Sequence, residues 1–124
     1  MEKVDFKKVL LGTGAALVAN VGIYLLGNSA GATWSVGLPF TLGVPMIAMA
    51  TIAPMVVGSQ AVRLISKWKP NFIKISAWLG LIFSIVGAPG GWIASNDLTT
   101  GLALGSMHVT VGVAWFYSIR ATKS

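Results

Sequence analysis

Charge is confined to a few short stretches of this sequence, and that placement leaves four apolar runs, at residues 9–27, 39–65, 72–87 and 98–119. A helix needs about 20 predominantly apolar residues to cross the hydrocarbon of a bilayer, so each run reads as a span. The only charges inside them, Arg63 and Lys74, lie near run ends, where a long side chain can reach the headgroups. Hydrophobic residues make up 55% of the chain and charged ones 10%, against roughly 25% charged in a soluble domain. A soluble fold of 124 residues cannot bury that much apolar surface. The expected architecture is therefore an all-α, integral membrane four-helix bundle, with the whole chain forming a single membrane domain. Four spans take roughly 80 residues, which leaves only termini and short loops.

The basic residues orient the bundle. Lys3, Lys7 and Lys8 precede the first run; Arg63, Lys67, Lys69 and Lys74 surround the second loop; Arg120 and Lys123 follow the fourth run. The first and third loops hold a single charge, Asp97. An even number of spans puts both termini and the middle loop on one side, and the positive-inside rule makes that side the cytoplasm. The expected location is the bacterial inner (cytoplasmic) membrane, multi-pass. Trp34 and Trp92 fall near the outer boundary and Trp68, Trp115 and Tyr117 near the inner one, so all five are expected as interface anchors. The net charge of +6 is spread over three short segments with no fold to build a groove, so it is assigned to orientation and membrane lipid, with no nucleic acid partner. Lys7-Lys8, the first run and Ala30-Gly31-Ala32 also have the outline of a signal peptide; the segment is expected to be retained as a span.

Punctuation between and within the runs sets further expectations. Pro39 suits a first helical turn, whereas Pro45 and Pro54 should bend the second span. Pro89-Gly90-Gly91 is expected to be a turn, and Asp97 the N-cap of the fourth span.

Polar groups at depth are few and therefore informative. Asn20 lies twelve residues past Lys8, and His108 twelve before Arg120. At 1.5 Å per residue both are about 18 Å in, at one level, and they are expected to form an intramembrane polar pair. Gly101, Gly105, His108 and Gly112 fall within about 60° on a helical wheel, and Gly101 and Gly105 make a GxxxG step that admits close backbone approach. Thr13, Ala16, Asn20 and Gly27 form a matching small and polar stripe on the first span. The economical packing sets spans one and four together. Whether the glycine face instead meets another chain is open from sequence. His108 reads either as a packing histidine or as a proton relay, ligand or cofactor contact. Met46, Met49 and Met55 read as hydrophobic filler.

The run Asp97-Leu98-Thr99-Thr100 with Leu104-Gly105-Ser106-Met107-His108 makes a D-x-x-T…L-x-x-M-H pattern, and Ala19-Asn20-Val21-Gly22-Ile23-Tyr24 makes A-N-x-x-I-Y. Together with their order and spacing over nearly the whole chain, these resemble an uncharacterised bacterial family of four-helix membrane proteins, the domain of unknown function 6069. The resemblance implies four helices and no agreed activity, so it adds no function. Other small four-span classes lack their essentials here. The sequence resembles small multidrug exporters in size, but its only Glu is Glu2, outside the spans. Small fluoride channels share a faint likeness around Gly12-Thr13…Asn20, with different spacing and no Thr/Phe-rich filter. There is no cysteine for quinone-linked disulfide chemistry and no Asp cluster for phosphatidyl transfer.

No catalytic residues, metal ligands or cofactors are expected. The leading expectation is a non-catalytic accessory or assembly subunit packing against a larger integral membrane protein, or against itself. The alternative is a small-solute or ion conduit formed by a homo-oligomer, with Asn20 and His108 at mid-membrane. A third is a redox or lipid-binding role; its haem version would need two His108 side chains to meet across a dimer, since one histidine per chain does not suffice to ligate haem.

Overall fold

Backbone groups in hydrocarbon must be satisfied within their own segment, so an apolar run of this length has the helix as its only open-ended solution. The computed structural model, which describes residues 2–123 apart from the side chains of Gly91 and Trp92, has four such helices: α1 (Phe6–Ser29), α2 (Val44–Ser66), α3 (Phe72–Ala94) and α4 (Leu98–Arg120). Each is long and apolar enough to cross a membrane, and no strands occur among the described residues. The chain is a multi-pass membrane protein. Only 22–33% of each span is buried inside the bundle, so the remaining apolar surface requires lipid. The anchor expected at Trp92 falls outside the described residues.

The interior mixes hydroxyl-bearing residues with an apolar core that includes Met55, Phe116 and Ile119, whereas the exterior is large and apolar. Thr13, Thr51, Ser59, Ser76 and Ser84 are buried, while Leu11, Val18, Leu26, Val57 and Val86 face out. The buried hydroxyls donate to carbonyls three or four residues back, at 2.7 Å for Thr13 to Val9 and Thr51 to Ile47 and 2.8 Å for Ser59, Ser76 and Ser84. Each of these hydroxyl donors is satisfied inside its own helix, which lets hydroxyls sit in the bundle interior without unmet donors.

Helix order around the bundle is α2–α1–α4–α3, with the largest interface between α3 and α4 and only slight contact between α2 and α3. The glycine face of α4 explains the first of these. A Cβ at Gly105 would lie 3.3 Å from the Ala88 carbonyl oxygen, and one at Gly112 would overlap Ser84 Oγ at 1.6 Å. That face packs within the chain, on α3, and not on α1 as expected from the wheel. The α1–α4 seam is made elsewhere, where Gly12 meets Ser118 and Gly27 meets Ala103. Thr13, Ala16, Asn20 and Gly27 are nevertheless the buried side of α1, with Val9.

Two boundaries differ most from the sequence reading. Helix α2 begins at Val44, not Pro39, and Pro45 sits in its first turn, where a missing N–H is no loss and no kink arises. Pro54 is the proline inside α2. Helix α3 continues through Pro89-Gly90-Gly91 to Ala94, because helical hydrogen bonding near the membrane outweighs the local turn preference. The N- and C-terminal segments pair side by side, Lys3 N–H to Lys123 O at 2.8 Å and Lys123 N–H to Lys3 O at 2.9 Å, so both termini lie at the end that carries the basic residues.

Candidate functional site

The weak α2–α3 contact opens a cleft of about 500 Å³ into the middle of the bundle. Its sides come from α2 and α3, and its floor from α4 together with Asn20 of α1. This volume is within the range of small-molecule sites, about 300–1,000 Å³. Its wall is apolar except for Asn20, Thr51, Ser84 and His108.

Asn20 is 1% exposed. Its Nδ2 donates to Thr51 Oγ1 at 2.9 Å, and Thr51 passes its own proton to the Ile47 carbonyl. The hydroxyl can therefore only accept, which fixes the amide orientation and leaves Asn20 Oδ1 buried without a partner. Asn20 and His108 make no direct hydrogen bond: both residues line the same cleft, but the amide is bonded to Thr51 of α2. His108 instead lays its ring against Gly87 of α3, where a Cβ would be 3.1 Å from Cε1. Thr51 was not singled out from sequence. The signal available was a threonine one turn after Ile47 on a span with few other polar groups.

Trp115 forms the end of the cleft nearer the basic residues. Its ring lies against Gly58 of α2 and occupies the Cβ position of Gly80 of α3, and its Nε1 donates to the Ser76 carbonyl at 2.8 Å. It is a core residue at 9% exposure, not an interface anchor. Trp34 is likewise inside, stacked on Tyr24 with centroids 4.5 Å apart; its loop folds back over the end of the bundle opposite the basic residues, with Leu42 N–H bonded to Trp34 O at 2.9 Å. Helical phase and a turned-back loop carry these two rings inward, and distance from a span end does not reveal either. Trp68 and Tyr117, at 79% and 69% exposure, are free to serve at the interface.

Asp97 caps α4, accepting from Thr100 N–H at 2.9 Å and Thr100 Oγ1 at 2.8 Å. It also accepts from the Thr33 hydroxyl and, at 3.4 Å, from Thr33 N–H, while Trp34 N–H reaches Thr100 Oγ1 at 3.0 Å. One carboxylate thus ties the first loop to the start of α4. The Thr33 hydroxyl, then the Thr100 backbone N–H, hold its pKa below the ordinary 3.8. A depressed folded-state pKa gives stability that is present above the unfolded value and is lost as pH falls through the folded one. Thermal stability in detergent is therefore expected to drop as pH falls below about 4, and Asp97→Asn should flatten that dependence. An unchanged acid profile in the variant would assign the tie to packing alone.

The described residues contain no group of three His, Asp or Glu placed to hold a metal ion. Residues 3–124 match a family described as family of unknown function (DUF6069). No curated protein and no solved structure matches the chain.

Proposed function

The chain belongs to that family of unknown function, and we propose that it acts as a non-catalytic accessory or assembly subunit packing against a larger membrane protein, in the bacterial cytoplasmic membrane with both termini in the cytoplasm. The orientation is supported by the placement of all nine basic residues at the ends and middle loop. The subunit reading is carried by the outward side of α1. Gly14, Ala15 and Ala19 are exposed there, and a Cβ at Gly14 or at Gly22 would meet nothing within 4 Å. Internal packing does not require these glycines, and each weakens a helix by about 1 kcal/mol relative to alanine. Leu11 at one end and Leu25 and Leu26 at the other are exposed on the same side. Val18, 74% exposed, stands on this face between Gly14 and Gly22, so the small residues form notches on either side of it, into which side chains of a second transmembrane helix can pack.

Mild-detergent purification from native membranes, with co-purifying chains and particle mass read by mass spectrometry, tests this. A larger membrane protein is expected in fixed stoichiometry, and Gly14→Leu with Gly22→Leu should reduce its recovery at least tenfold while the chain itself stays folded. Recovery as a lone monomer would overturn the reading. Recovery only as self-oligomers would favour the second one, a homo-oligomeric conduit. That reading is supported by Asn20 and His108 sharing one cleft at mid-depth, and it requires solute flux in liposomes that His108→Ala abolishes.

A further inference from the structure

We propose that the cleft between α2 and α3 is a binding site for a lipophilic molecule carrying a neutral hydroxyl or phenol, with Asn20 Oδ1 as the acceptor that fixes its polar end. The inference is independent of the α1 face and of any protein partner.

The argument rests on which hydrogen-bonding roles the wall has left. Thr51 has spent its proton on the Ile47 carbonyl and Ser84 its own on the Leu81 carbonyl, at 2.7 and 2.8 Å. Asn20 has given one amide proton to Thr51, and its carbonyl oxygen is buried with no donor. Pro54, also in the wall, has no N–H to offer the Ala50 carbonyl four residues back. His108 keeps a ring N–H, but its ring lies against Gly87 and does not reach Asn20 Oδ1, which is left as a buried acceptor without a donor. A buried unmet acceptor is destabilising, and in a membrane no bulk water meets it. A ligand relieves the deficit only if it brings a donor. An ammonium would bring one together with a desolvated charge that nothing in the wall neutralises, whereas a hydroxyl or phenol brings the donor alone. The remaining surface, including Met55, Phe83, Met107 and Trp115, suits an apolar body. Because α2 and α3 barely touch, the cleft faces sideways from the bundle, so such a molecule enters from the lipid phase without crossing a polar barrier.

The test uses the whole chain in phospholipid vesicles, with a photoactivatable long-chain alcohol as probe and the otherwise identical alkane as comparison. The alcohol is expected to label cleft residues of α2 and α3 saturably and about tenfold more than the alkane, the scale of one hydrogen bond made in an apolar site. Asn20→Leu keeps the branched side-chain shape and removes the acceptor, and should erase that preference. Ala50→Trp fills the cleft from an exposed wall position, should block labelling by both probes, and keeps the test decisive if Asn20→Leu does not fold. Competition by an unlabelled quinol or by an unlabelled diacylglycerol separates ring-bearing from acyl sources of the hydroxyl. Equal labelling by the alkane, labelling unaffected by Ala50→Trp, or competition by neither lipid overturns the proposal.

Discussion

Trp34→Ala is expected to cost about 3–5 kcal/mol of stability, the range for deleting a large buried aromatic side chain. The ring is 3% exposed and is held by Tyr24 on one face, with Gly27 and Ala103 close by. Its backbone has φ +59, a left-handed conformation that bulky residues adopt only when their surroundings compel it. The compulsion is the burial of the ring together with the Trp34 N–H bond to Thr100. Remove the ring and the first loop keeps its backbone strain but loses the packing that offsets it. The loop should then detach from the end of the bundle opposite the basic residues. Thermal unfolding in detergent and protease cleavage within residues 30–43 measure the two consequences. Trp34→Phe is expected to be much milder, because it preserves the stack on Tyr24 and removes the Nε1 donor that is buried without a partner. Equal stability of Trp34→Ala and the parent would show that the loop is not a plug.

That ring also marks the limit of what the chain discloses before its structure is known. The four spans were legible because charge is excluded from hydrocarbon and its absence is visible residue by residue. The cap at Asp97 was legible because a short carboxylate before Leu98-Thr99-Thr100 has one obvious use. Facing directions were harder. In a soluble helix an apolar stripe reveals the inner side, but these helices are apolar all round. Their inner side is marked by its hydroxyl and amide groups, small residues alone being ambiguous because Gly14, Ala15 and Ala19 of α1 face out. That cue correctly separates Thr13 and Asn20 from the leucines of α1. It does not say which helix a small face will meet, and so the glycines of α4 were set against α1 when Ser84, Gly87 and Ala88 of α3 provide the matching surface. The prolines misled for a related reason. Pro39 and Pro45 are equally good first-turn residues, and only the path of the folded-back loop chooses between them.

Trp115→Ala is expected to be as damaging as Trp34→Ala, about 3–5 kcal/mol, for a different architectural reason. Helices α2 and α3 have little direct contact, and at the end of the cleft nearer the basic residues the Trp115 indole stands between them, against Gly58 on one side and Gly80 on the other. Its Nε1 bond to Ser76 O holds the ring in that position. Truncation should lengthen the cleft towards the basic end and leave α2 attached mainly through α1. Trp68→Ala, at an exposed position, is the control and should change stability little. The glycines supply the sharper test. A Cβ on Gly80 would fall 2.2 Å from Trp115 Cδ1, so Gly80→Val in the parent forces ring and helix apart, an overpacking penalty of about 1–3 kcal/mol or more. In a Trp115→Ala background the same valine enters the space the ring has left and should be neutral or stabilising. The coupling energy of that double-mutant cycle is expected to lie at the upper end of the 0.5–3 kcal/mol seen for touching residues. An additive cycle would mean that the indole does not occupy the glycine notch, and that some other contact sets the spacing of α2 and α3.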